Sequence, residues 1–298
     1  MQVQGIVVPV VTPFTGDRSI DQDGLARLID SMASAGIDGI FVAGTTGEYS
    51  RLHPHERHRL FALATEYSAG RVSVYAGITD SAFALVREHL QAAEAAGVDC
   101  CVVGLPYYFP VHDDEEAFGW FVQIVKQSSL PLLLYDIPGN AQAAISPAVV
   151  ARLASEIAGV KDSSGDPDKI DAYIEALGGK QRQAAYLSGS EALTRQAIDR
   201  GADGLVPSLG NVLPQLLAEI WKKRHDRQAV QHLTEAMDRI NRLNSRYSGS
   251  LATIAWKKRV LSLQGVCSDI LSLPATPIPA EDNPLLLKAI EEAQAALS

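Results

Sequence analysis

A TIM-type (β/α)8 barrel of the α/β class, carrying a C-terminal three-helix extension, is the architecture this sequence predicts. Three observations predict it. Eight short apolar runs alternate with helix-patterned segments across about 224 residues, a period of about 28 residues that suits β-α-β units. Most of those runs are near-continuously apolar, so both faces are expected to be covered and the sheet to be parallel. No glycine-rich phosphate fingerprint follows an early strand, as a doubly wound dinucleotide-binding sheet would require. The barrel is expected over residues 1–224 and the helical region over 225–298.

The elements follow in order. Gly5 to Phe14 is a strand running into a proline-bounded loop, and Asp21 to Ala35 places Leu25, Leu28, Ile29 and Met32 at helical spacing. Gly39 to Ala43 is the second strand, ending at Gly44, and Pro54 to Tyr67 is a helix. Val72 to Gly77 is the third strand, before an alanine-rich helix over Ser81 to Ala96. Cys100 to Val103 is the fourth, followed by a helix over Asp114 to Gln127 with acidic residues at its start, where the helix dipole favours them. Leu132 to Asp136 is the fifth strand. Ser146 and Pro147 supply the cap and first position of a helix reaching Leu153. Ile157 to Lys161 is the sixth strand, with a helix over Pro167 to Leu177. Ala184 to Ser188 is the seventh, with a short helix over Glu191 to Ile198. Gly201 to Val206 is the eighth, with a helix over Val212 to Arg224. Three further helices are expected over Gln228 to Leu243, Ala252 to Leu263 and Leu285 to Ala296.

Composition narrows the function classes. The 298 residues are 47% hydrophobic and carry a net charge of -9, which disfavours a phosphate-backbone partner such as nucleic acid. Cys100 and Cys101 are adjacent in an apolar strand and Cys267 stands far away, so neither a metal knuckle nor a disulfide framework is expected. They read as core residues of a reducing compartment. The N-terminal residues lack a basic and a long apolar region, and no run of eighteen apolar residues occurs. A cytoplasmic protein without a membrane partner is therefore expected. His53 and His55 have His-x-His spacing but lie where a helix begins, beyond the strand end, and read with His58 as a solvated helix start. Ser188-Gly189-Ser190 lacks a strand-end histidine, which disfavours a serine hydrolase.

In such a barrel the chemistry gathers at the C-terminal ends of the strands. One stretch stands out: Gly159-Val160-Lys161-Asp162-Ser163-Ser164-Gly165-Asp166 brings a lysine to the end of an apolar run, just before a small polar turn. Partial desolvation there would lower the lysine pKa and expose the neutral amine that imine chemistry on a ketone needs. Alone, the stretch also reads as a surface lysine at a strand end. Tyr135 lies 26 residues earlier, one unit away, so both side chains are expected to project from adjacent strand ends into one cavity. A phenol beside an amine can shuttle protons during imine formation and carbon–carbon cleavage. Gly44-Thr45-Thr46-Gly47 brings backbone close to a ligand and offers hydroxyl and amide donors for a carboxylate.

Taken together, the chain resembles the dihydrodipicolinate synthase / N-acetylneuraminate lyase family of Schiff-base lyases along essentially its full length. The resemblance is carried by Gly-Thr-Thr-Gly-Glu at 44–48, Pro-Tyr-Tyr at 106–108, Tyr-Asp-Ile-Pro-Gly at 135–139 and Gly-Val-Lys-Asp-Ser-Ser-Gly-Asp at 159–166. It implies that Lys161 forms the Schiff base, that Tyr135 moves protons at the reacting centre, and that the Thr45 hydroxyl relays to it. It further implies that Thr46 and the Gly47 amide bind the carboxylate of a 2-oxo acid, that Val206 lies near the pyruvoyl group, and that Tyr108 is lent across a subunit interface. A homotetramer, a dimer of dimers, is implied, and no cofactor or metal.

The resemblance also separates branches. The condensing synthases carry an arginine shortly after the catalytic tyrosine for the carboxylate of aspartate semialdehyde; here the matching position is Asn140. Gly189, Ser190 and Glu191 match the region that reads polyhydroxylated substrates in the sugar-acid branches. The expected activity is thus cleavage of a 2-keto-3-deoxy sugar acid, or a related 4-hydroxy-2-oxo acid, to pyruvate and an aldehyde. Three alternatives remain: 4-hydroxy-tetrahydrodipicolinate synthase, a sugar-acid dehydratase working through the same imine, and a non-catalytic 2-oxo acid binding protein.

Overall fold

A computed structural model describes residues 3–247 and 251–297. Eight parallel strands close into a barrel in sequence order: β1 (Gly5–Pro9), β2 (Gly39–Val42), β3 (Ser73–Gly77), β4 (Cys100–Gly104), β5 (Leu132–Asp136), β6 (Gly159–Asp162), β7 (Ala185–Ser188) and β8 (Gly204–Leu205), with β8 pairing back onto β1. The expected fold class is therefore observed.

Alternation along each strand divides its side chains between two cores. Ile40, Val42, Cys101, Val103, Leu134, Val160 and Tyr186 point outward and pack beneath the surrounding helices. Phe41, Tyr75, Cys100, Val102, Leu133, Tyr135 and Leu187 point inward and fill the barrel. Strands covered on both sides have no polar face, which explains their continuous apolar runs. Any polar residue facing inward near a strand end must then serve the mouth of the barrel.

The helices that turn each strand into the next have recognisable starts. The Asp21 carboxylate accepts from the Gly24 amide at the head of the helix Gln22–Ser34. Asp113 caps Asp114–Val125 by accepting from two amides, and Ser146 caps Pro147–Leu153 by accepting from Val149. Each such cap satisfies amides that have no partner within the helix.

Several elements differ from the sequence reading. β8 is only two residues long. Gly201 turns at φ +84, while the Asp203 carboxylate accepts from the Tyr186 amide and pairs with Arg182, so the preceding residues serve as a joint rather than a strand. A helix of four residues, Pro138–Ala141, follows β5 where none was expected. The segment after β7 splits into a 3-10 turn, Glu191–Leu193, and a helix, Thr194–Asp199. Beyond the helix Pro214–Lys222 come Arg227–Asn241, a short Leu243–Arg246, Ala252–Leu263 and Asn283–Gln294. Three long C-terminal helices were expected; the short one was not.

Two polar ties set the barrel mouth. The Asn211 side chain accepts from the Val11 amide at 2.9 Å and donates to the carbonyls of Pro9 and Ser208, joining the loops after β1 and β8. The buried Glu48 carboxylate receives Lys258 Nζ at 2.5 Å, the Ser272 amide at 2.8 Å and the Ser272 hydroxyl at 2.6 Å. The loop after β2 is thereby fastened to the C-terminal helices.

Candidate active site

Lys161 and Tyr135 are direct register partners on β6 and β5, so both side chains leave the sheet on the same, inner side. Lys161 is only 4% exposed. Its Nζ lies 3.7 Å from the Tyr135 ring centroid and 4.6 Å from that of Phe41. Burial pushes the Lys161 amine below the ordinary lysine range, opposed in part by Tyr135. Aromatic faces favour a cation, but two rings replace far fewer water contacts than the ammonium loses. The result is an amine poised for nucleophilic attack.

The Thr45 hydroxyl lies 3.3 Å from the Tyr135 hydroxyl, within hydrogen-bond reach of that phenol. Thr45 can take this place because the chain turns sharply after β2. Ala43 has φ +50, and a Cβ on Gly44 would sit 2.5 Å from the Phe41 ring, so only glycine lets the turn close over that side chain. Glu48 then closes the turn by donating its amide to the Thr45 carbonyl. The amides of Thr46 and Gly47 have no acceptor among the described residues. Two adjacent amide donors at a loop can hold a carboxylate.

These groups line one cavity of about 460 Å³. Thr45, Thr46, Tyr135, Lys161, Gly189, Glu191 and Val206 all contribute to its wall. Six of the side chains and one glycine expected from the sequence are thus brought together. Gly47 adjoins the wall at Thr46, its carbonyl accepting from the Thr12 hydroxyl at 2.7 Å. Ser190 begins the 3-10 turn and is not part of the wall. Asn140 faces an adjoining cavity with Tyr49, Tyr107 and Thr253 rather than this one. Tyr108 is 75% exposed with φ +80, stacked edge-on to the equally open Phe109. Within one chain it does not reach the site.

Glu191 is partly spoken for. Its Oε1 accepts from the Ser208 hydroxyl at 2.9 Å and the Leu209 amide at 2.8 Å, holding the loop after β8 against the loop after β7. The second oxygen is left for other donors. Sequence reasoning missed the far wall. Asn241, Asn244, Thr253 and Lys257 reach the cavity from the C-terminal helical region. Nothing in strand-end counting could find them, because that region lies outside the repeating unit. His58 is also not solvated as expected: its Nε2 meets His89 Nδ1 at 2.9 Å, in a cluster with the buried Arg57 and Asp80. His53 accepts from the His55 amide at 3.2 Å as the cap of Pro54–Ser68.

A closed parallel barrel with a buried amine at the end of β6, register-paired with a tyrosine, suits an enzyme of the Schiff-base class, which works through an imine on a carbonyl substrate. Comparison with known proteins gives the particular family. The family model described as the dihydrodipicolinate synthetase family matches residues 2–293, and the chain belongs to that family. It is 32% identical over 289 residues to a 4-hydroxy-tetrahydrodipicolinate synthase of Stenotrophomonas maltophilia, covering 95% of this chain and 94% of that one. Over 225 residues, 74% of each chain, it is 32% identical to an Escherichia coli protein, YagE, provisionally named a 2-dehydro-3-deoxy-D-gluconate aldolase. Among solved structures it superimposes on the 4-hydroxy-tetrahydrodipicolinate synthase of Methylacidiphilum fumariolicum with a TM-score of 0.90 at 28% identity, covering 99% and 97% of the two chains. The protein is a carbon–carbon lyase of the class I, pyruvate-dependent kind.

Proposed function

We propose that the protein cleaves a 4-hydroxy-2-oxo acid, of the 2-keto-3-deoxy sugar acid kind or a relative of it, to pyruvate and an aldehyde. The observation that carries this reading is the Lys161 amine, buried against Tyr135 with Thr45 behind the phenol. The neutral amine adds to the C2 carbonyl, and loss of water leaves a protonated imine. The Thr46 and Gly47 amides hold the C1 carboxylate. Tyr135, relayed through Thr45, takes the proton of the C4 hydroxyl while the C3–C4 bond breaks and its electrons move into the imine. The aldehyde leaves, the enamine is protonated at C3, and water releases pyruvate and the free amine. Val206 packs against the pyruvoyl methyl group, and Gly189 and Glu191 face the chain beyond C4. In this reading Tyr108 completes the proton relay of a neighbouring subunit in a homotetramer.

A second reading is condensation of pyruvate with aspartate semialdehyde. The names of most of the relatives favour it over cleavage, since they are 4-hydroxy-tetrahydrodipicolinate synthases. Asn140, in place of the arginine the resemblance implies, favours cleavage. Borohydride trapping with pyruvate followed by mass spectrometry tests the shared imine: the adduct is expected on Lys161 and absent from Lys161→Ala. Product analysis with a panel of 2-oxo acids, and with pyruvate plus aspartate semialdehyde, then separates the readings. Pyruvate release supports cleavage, condensation supports the synthase, and loss of water with retention of the carbon chain would make the protein a dehydratase.

A further inference from the structure

The far wall of the cavity holds a second buried lysine. Lys257 sits on the helix Ala252–Leu263, is 1% exposed, and lines the same cavity as Lys161. Its Nζ donates to the Thr253 carbonyl at 2.9 Å and lies 4.3 Å from the Trp256 ring centroid. Among the described residues no carboxylate comes within ion-pair distance of it. Its neighbour on the same helix shows the contrast: Lys258, equally buried, is fully matched by Glu48. Glu191 shares the cavity wall with Lys257 without pairing with it, its Oε1 held by Ser208 and Leu209.

A buried ammonium with three donors and one carbonyl partner is an incomplete site. The part of the cavity it faces is where the substrate beyond C4 must lie. With the C1 carboxylate at the Thr46 and Gly47 amides and C2 on Lys161, the rest of this cavity, walled by Gly189, Glu191 and the C-terminal helices, takes the substrate chain. A neutral polyol tail would leave the ammonium without a counter-charge. A tail ending in a carboxylate would supply one, in surroundings where a charge-assisted hydrogen bond is strong.

We propose that Lys257 binds a second carboxylate, at the far end of the substrate, and that the preferred substrates are dicarboxylic 4-hydroxy-2-oxo acids. The proposal rests on the imine reading of Lys161 for the placement of C1 and C2. It also bears on the second reading above, because the aldehyde in that condensation carries a carboxylate too. Asn140 faces the adjoining cavity, and Lys257 would take over the role of the absent arginine from another element.

The test compares kcat/KM for pyruvate release from 4-hydroxy-2-oxoglutarate and from 2-keto-3-deoxygluconate, in the unmodified protein, Lys257→Met and Lys257→Arg. The unmodified protein is expected to prefer the diacid. In Lys257→Met the diacid-to-sugar-acid ratio should fall at least tenfold, mainly through KM, and Lys257→Arg should restore part of it. General damage to the fold would lower both rates and leave the ratio unmoved. An unmoved ratio, or a preference for the sugar acid or for a phosphorylated 2-keto-3-deoxy acid, overturns the proposal. Borohydride capture of pyruvate separates the two inferences. Capture without diacid turnover overturns the substrate class and leaves the imine standing. Absence of capture removes the imine, and calorimetry with glutarate then decides the anion site alone: weaker binding by Lys257→Met supports it, and unchanged binding overturns it.

Discussion

Two lysines share one cavity and are held in opposite ways. Lys161 has the Phe41 and Tyr135 rings beside its amine, and burial lowers its pKa. The amine form is the nucleophile, so the limb on which imine formation rises with pH is expected below the ordinary lysine range. Phe41→Ala would open a cavity beneath that amine and admit water, moving the limb upward and costing about 3–5 kcal/mol of stability. Stopped-flow trapping of pyruvate across pH, with urea unfolding beside it, checks both effects. Tyr135→Phe keeps the ring and removes the hydroxyl to which the proposed mechanism gives the proton transfer. Turnover should fall by about 10²–10⁴-fold while the borohydride adduct still forms. Lys257 gives a stability prediction of the opposite sign. Burial lowers its pKa from 10.5 to about 8, a disadvantage to the unliganded fold on the order of 3 kcal/mol. The penalty is full below pH about 8, where the folded and unfolded forms are both protonated. It fades as pH rises toward 10.5, where both are neutral. Lys257→Met should therefore stabilise the unliganded protein at neutral pH, and the gain should vanish in alkali when followed by thermal unfolding.

The strand ends carry polar side chains on both faces, and the outer ones hold the inner ones in place. Asp136 follows Tyr135 on β5 and so points to the other side. Its carboxylate accepts from the Ile145 amide, from Lys169 at 2.6 Å and from the Tyr173 hydroxyl at 2.8 Å. Asp162 follows Lys161 on β6 in the same way, accepting from the Ser164 amide and the Tyr186 hydroxyl, and burial raises its pKa. Asp136→Ala would leave the Lys169 ammonium without its counter-charge and the Ile145 amide without its acceptor, costing about 3–5 kcal/mol in urea unfolding. It should also lower turnover, because β5 sets the direction of Tyr135. This level of organisation was partly legible in the sequence. Lys161 and Tyr135 could be paired because inward and outward positions alternate and the unit length is nearly constant. The extent of the short elements was not legible. The late start of β8 depends on an ion pair between Arg182 and Asp203, residues 21 apart in sequence. The split after β7 depends on Glu191 reaching across to Leu209. Both are tertiary contacts that local patterning does not encode.

At the scale of the whole molecule, the barrel was readable and the second wall of its cavity was not. Repetition exposed the barrel, since eight similar units announce themselves by period. The C-terminal helices do not repeat, and their contribution to the site arises only when they fold over the barrel mouth. Lys257 reads in the sequence as one of two adjacent lysines in a helical segment. Only packing shows that Lys258 meets Glu48 while Lys257 lines the cavity. Glu48→Gln should loosen the loop of Thr45 and Thr46 together with the C-terminal region, because it leaves Lys258 buried without a counter-charge. Hydrogen exchange should rise in both segments at once.

That same ion pair bears on how the protein could be re-engineered. Lys161 and Tyr135, to which the proposal gives the imine chemistry, belong to the barrel strands, whereas the far wall of their cavity belongs to the last quarter of the chain. Chimeras that exchange this last quarter between relatives would carry a new tail preference onto an unchanged reaction centre. Position 48 and position 258 would have to travel as a matched set, since a graft that brought a neutral partner to either side would bury a lone charge at the seam.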